Sequence, residues 1–117
     1  MTDAGFTRAF ERLEIPPDEV NHRAHLRLAW VYLSESPSIE AATARMADAI
    51  TRFAASVGKS DKYSDAITAL WMKKMAAARN AMPAASFSDL IAANPDLLVY
   101  RPGPEVPTPR TPAQGPA

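Results

Sequence analysis

The chain has 117 residues, of which 47% are apolar and 22% charged, a balance that sets the expectation of one globular domain with one modest core. Thirteen basic residues offset thirteen acidic ones, so no long-range field steers the protein to nucleic acid or to an anionic membrane, and neither is an expected partner. The lack of cysteine excludes disulfides, thiolate metal sites and cysteine nucleophiles together.

The opening MTDAGFTRAFERLE is charged and amphipathic, without the basic start and apolar run of a secretory signal, and no segment reaches the roughly 20 apolar residues that span a bilayer. A cytoplasmic location is expected. Phe6, Phe10 and Leu13 recur at i, i+4 and i+7 and predict a short first helix that Pro16 and Pro17 stop. A second helix is predicted to start near Pro17, with Asp18 and Glu19 beside the positive end of its dipole, and to run to about Ser34. The third has the clearest signature. Ser38 stands as N-cap, Ile39, Ala42, Met46, Ala49, Ile50, Phe53 and Val57 form one stripe, and Gly58 is the C-terminal stop. After the polar linker KSDK, Tyr63, Ile67, Leu70, Trp71, Met75 and Ala78 make the stripe of a fourth helix, closed by Pro83. SFSDLIAANP repeats the pattern in miniature, with Ser86 capping and Asn94 and Pro95 ending a fifth.

Scarce glycine and the absence of strand-length alternation argue against β-structure, so the expected fold is all-α: a compact bundle of about five helices over residues 1–100. Six of the eleven prolines fall in 101–117, which has almost nothing apolar to bury and reads as a disordered Pro-rich tail. It contains PEVP and PRTP, both of the Pro-x-x-Pro form.

Candidate chemistry centres on NHRAHLRLAW, residues 21–30, which hold both histidines of the chain. On a helix His22 and His25 lie about one turn apart and continue the line of Ala29, Tyr32 and Leu33, so both rings can face one place. Imidazole is a frequent metal ligand and the side chain that normally titrates near pH 7. A metal site needs a third ligand, which here falls to Asp61 or Asp65 on an unanchored linker, so no bound metal is expected and no sequence feature identifies a cofactor. Arg23 and Arg27, also a turn apart, have the chemistry to clamp a carboxylate or phosphate. Trp30, Tyr32 and Trp71 are candidate pocket walls, although aromatics and methionines at helical spacing are core residues first.

NHRAHLRLAWVYL, GKSDKYSDAITALW and SFSDLIAANPDLL together resemble a group of small α-helical bacterial proteins of unassigned function, which share a His-x-x-His-x-Arg-x-Ala-Trp helix and a Gly-Lys-x-x-Lys-Tyr segment. The resemblance covers about residues 6–98 and implies a helical fold with a site at His22, His25, Arg27, Lys62 and Tyr63. The group's pattern places a histidine after the Lys-Tyr pair, where this chain has Ser64, so three imidazoles do not converge on one ion here.

Two functional expectations follow. One is a small-molecule-binding helical protein, whose catalytic form is a small metabolic or biosynthetic enzyme with a His-based site between the second and fourth helices. His22, His25 and Tyr63 are then its catalytic residues, and Arg27, Lys62 and Trp30 its ligand-binding ones. The other is a non-catalytic interaction or adaptor protein, a homo-oligomer or a subunit of a complex. Because the tail has so little apolar surface, a chain ending at Tyr100 should melt within about 5 °C of the full chain, a difference of order 1 kcal/mol; a larger drop in a thermal melt would mean that the tail packs on the body.

Overall fold

The computed structural model describes residues 1–99; the predicted tail, 101–117, lies outside them. Five helices form, as the periodicity predicts, and there is no strand among the described residues: α1 (Asp3–Glu11), α2 (His22–Glu35), α3 (Ile39–Ser56), α4 (Asp65–Ala81) and α5 (Phe87–Ala93). Short 3-10 turns at Pro17–Glu19, Ser60–Lys62 and Pro95–Leu98 punctuate the connections.

Each helix starts where a side chain satisfies an otherwise orphaned N–H. Thr2 Oγ1 accepts from Gly5 at 2.9 Å, Ser38 Oγ from Ala41 at 3.1 Å, Ser64 Oγ from Ile67 at 3.2 Å and Ser86 Oγ from Asp89 at 3.1 Å. This rule also corrects the predicted start of α2. Pro17–Glu19 closes only one 3-10 turn, and Asn21 Oδ1 then accepts from Ala24 N at 2.9 Å, so the helix begins at His22. Pro16, which precedes the expected start, has no side-chain acceptor to offer.

Two helices end in the same way. At the end of α3, Lys59 N bonds to Ala54 O and Gly58 N to Ala55 O, with Gly58 at φ 72°, a Schellman closure in which glycine carries the left-handed residue at no steric cost. At the end of α1, Glu14 N bonds to Ala9 O and Leu13 N to Phe10 O, the identical pattern, but the left-handed residue is Leu13 at φ 61°. Leu13 therefore does not extend the Phe6–Phe10 stripe into the core, as its spacing predicts; it is 44% exposed.

Helices α2, α3 and α4 pack against one another, and α1 closes over α2 and α3. α2 is the centre: Leu26, Leu28, Ala29, Val31 and Tyr32 are all at most 3% exposed. Tyr32 also organises polar contacts at the α1 end of the bundle. Its hydroxyl donates to Glu11 Oε2 at 2.7 Å, and Arg45 lies over its ring at 4.7 Å. Arg8 pairs with Glu11 at 2.9 Å and with Glu35 at 3.1 Å, and Arg45 with Glu35 at 3.2 Å, so α1, α2 and α3 share one charged cluster. Burial first, and the Glu11 carboxylate second, hold the Tyr32 phenol protonated far above its ordinary range. α5 docks on the other flank of α2, where Phe87, 2% exposed, meets Trp30 at 6.2 Å between ring centroids.

On α4 the face turned inward is not quite the predicted one. Met72 and Met75 are buried, whereas Leu70 is 37% exposed and Trp71, expected inside, is only partly buried.

Leu13→Gly should raise stability by about 0.5–1 kcal/mol. The left-handed conformation costs an L side chain roughly 1–2 kcal/mol, glycine's extra unfolded-state entropy takes back about 0.5–1 kcal/mol, and Leu13 is exposed and stands outside the described core. Chemical denaturation that finds the variant less stable would show that Leu13 makes contacts worth more than its backbone strain.

Candidate functional site

The starts of α2 and α4 lie at the same end of the bundle, and between them is a cavity of about 280 Å³ that opens to solvent. α2 and the residues before it contribute Val20, Asn21, His22, His25, Leu26 and Ala29. Met46 and Ile50 of α3 form part of the wall. From the opposite side come Lys62, Tyr63 and Ser64, then Ile67, Thr68, Trp71 and Met72 of α4. Four of the six residues singled out in the sequence, His22, His25, Lys62 and Tyr63, are thus brought to one cavity.

They are not equivalent. His22 Nε2 lies 2.8 Å from the Leu97 carbonyl oxygen, and since a carbonyl only accepts, Nε2 carries a proton. Its ring also meets Trp71 edge-on at 4.5 Å. Burial lowers its pKa below the ordinary histidine value, opposed by the bond to Leu97. His22 is in this way a latch between the start of α2 and the Pro95–Leu98 turn.

His25 differs. Its ring makes no hydrogen bond with any described residue, and neither ring nitrogen is among the polar atoms sealed from solvent. His25 is one of the residues that line the cavity. Burial, with the neighbouring His22 adding a smaller repulsion, lowers the His25 pKa to about 4, so near pH 7 the ring is a neutral imidazole with one N–H donor and one lone pair.

Tyr63 gives the cavity its ring and not its hydroxyl. The oxygen is shut off from solvent and makes no well-formed hydrogen bond, although Thr68, Asp65 and Thr51 stand around it. Burial is the main reason its pKa is raised. The hydroxyl expected to be catalytic is therefore shielded from solvent in this structure. Lys62 is exposed at the mouth.

Arg27 and Trp30, expected as ligand-binding residues, are elsewhere. Arg27 Nε pairs with Asp3 Oδ1 at 2.6 Å, its Nη2 donates to the Met1 carbonyl at 2.9 Å, and the guanidinium lies 4.5 Å over the Phe6 ring, so the side chain fastens α1 to α2. Trp30 packs between Phe87 and the Arg79 guanidinium, the latter 5.7 Å from its ring. Arg23, exposed, lies 5.1 Å over Phe87 rather than beside Arg27, so the two arginines form no clamp. Asp61 and Asp65 do not complete a metal site: among the described residues no three His, Asp or Glu side chains come together to hold an ion. The sequence pattern places Met46, Ile50 and Met72 in the core and gives Thr68 no role, yet all four line the cavity. For Thr68, its position one turn after Ser64 on the cap side of α4 was the available signal.

Among the described residues no helix is long and apolar enough to cross a membrane. Comparison of the chain with protein-family models, with curated proteins and with solved structures finds no match.

Two outcomes check this geometry. An imidazole whose pKa falls from 6.5 in the unfolded chain to about 4 in the fold binds fewer protons when folded, so its contribution to stability is complete above pH 6.5 and is lost as the pH falls toward 4. That loss should be on the order of 3 kcal/mol and should largely vanish in His25→Phe; a His25 titration midpoint of 6 to 7 by NMR would contradict it. Tyr63→Phe removes a buried hydroxyl without a good partner, so stability should stay level or rise by up to about 1 kcal/mol. A clear loss in a urea melt would mean that the hydroxyl is satisfied after all.

Proposed function

We propose that the protein binds a small organic molecule in the cavity between α2 and α4, held at its polar end by His25. The observation that supports this reading most directly is an imidazole without a hydrogen bond to any described residue, on the wall of a cavity whose other lining is mainly apolar. That is the usual composition of a small-molecule site: hydrophobic lining with very few polar groups placed to orient the ligand. In the catalytic form of the reading, His25 takes a proton from the ligand, and His22 holds the start of α2 in position through Leu97. A base whose conjugate acid lies near 4 drives such a transfer weakly at neutral pH, so hydrogen bonding is the role its chemistry favours.

The test is a fragment screen by NMR on the uniformly ¹⁵N-labelled full chain, which at 12.7 kDa gives well-resolved spectra. Fragments of about ten non-hydrogen atoms, at roughly 0.5 kcal/mol per atom, bind with Kd values of order 0.1–1 mM. At least one should shift Leu26, Ile50, Ile67 and Trp71 together, and His25→Ala should weaken it about tenfold while melting within a few degrees of the parent. A screen in which no fragment moves those residues as a group would sink the proposal.

A further inference from the structure

We infer that the cavity takes a neutral one- or two-ring aromatic molecule carrying a single hydroxyl or ring N–H, with that group hydrogen-bonded to His25 and the rings lying among Tyr63, Trp71, Met46 and Met72. This rests on the binding reading above and narrows it to a chemical class.

Size is the first constraint. An apolar cavity of about 150 Å³ holds benzene, and sites for drug-sized ligands begin near 300 Å³. At about 280 Å³ the space suits one ring with substituents or two fused rings. The walls are the second. Trp71 and Tyr63 are aromatic members of the lining, and Met46 and Met72 add polarisable thioether side chains of the kind that pair well with ring edges. Charge is the third. Of the described residues that line the cavity, Lys62 alone carries a formal charge, and it stands exposed at the mouth. An anion drawn inside would lose its hydration without a buried cation to replace it. Hydrogen bonding completes the argument: a neutral imidazole on the wall, with no hydrogen bond to a described residue, matches one group that donates or accepts, and a hydroxyl does both.

The experiment compares 2-naphthol, naphthalene, 2-naphthoate and the saturated alcohol 2-decalol at pH 7, by NMR titration of the full chain and of His25→Phe, which keeps a flat ring but has no nitrogen. On the parent, 2-naphthol should bind about tenfold tighter than each of the other three and should move the His25 ring nitrogen resonances. On His25→Phe it should fall to the affinity of naphthalene. Tighter binding of 2-naphthoate would overturn the neutral class and point to Lys62. Equal binding of 2-decalol would overturn the aromatic class, and equal binding of naphthalene would remove His25 as the anchor. If His25→Phe fails to fold, the parent decides: a 2-naphthol complex in which the His25 nitrogens do not move overturns the inference. Failure of all four probes, while other fragments shift the cavity residues, overturns the class and leaves the binding reading standing; failure of every fragment removes both.

Discussion

A helix covered on most of its surface has few outlets for its polar groups, and that constraint on α2 governs the rest of this molecule. With Leu26, Leu28, Ala29, Val31 and Tyr32 almost wholly buried, α2 meets α1, α3, α4 and α5 around its circumference. Several of its polar side chains are consequently tied to other elements. Tyr32 reaches Glu11, Arg27 reaches Asp3 and His22 reaches the Leu97 carbonyl, whereas His25 lines the cavity and makes no hydrogen bond to a described residue. Burial without partners is costly for such groups, so the arrangement of the surrounding helices can be read as the set of partners that α2 requires.

The cavity at the start of α2 has an energetic cost. An enclosed empty cavity of about 280 Å³ would cost roughly 7 kcal/mol at the rate measured for buried voids, a large part of the 5–15 kcal/mol that holds a domain together. Opening to solvent relieves much of that cost, yet the apolar walls remain an unfavourable feature of the isolated protein. Groups that lower stability without serving the core are the ones a binding site needs, because a ligand that fills the space and satisfies the ring regains what the fold gives up.

The two ends of the bundle divide the work. Around Tyr32, charges of both signs interlock across α1, α2 and α3, a network that can hold helices in register. Around His25 the described residues of the cavity wall carry no acidic group, and the exposed Lys62 marks the boundary with water. Arg27 belongs to the first kind of contact, although its place in the helix motif suggested the second.

Local rules set much of this architecture directly. Serine or threonine before an apolar stripe places four of the five helix starts, and Gly58 ends α3, because capping and the left-handed turn depend on only a few adjacent residues. The pairing of His22 with His25 on one face follows from helical spacing alone, and their meeting with the Lys62–Tyr63 segment follows once the starts of α2 and α4 are neighbours. What spacing does not encode is rotation and depth. Leu70 and Trp71 are adjacent to a buried stripe but lie on its edge, Leu13 is the left-handed residue of the turn that ends α1, and the Tyr63 hydroxyl is shut off from solvent rather than open to the cavity. Arg27 and Trp30 share a motif with His22 and His25, yet a helix turns 100° per residue and neighbours in sequence face different partners. Helix identity and boundaries are decided within a turn or two of chain; which imidazole is held and which is left open depends on what α4, α5 and the Leu97 carbonyl bring from as many as 75 residues away.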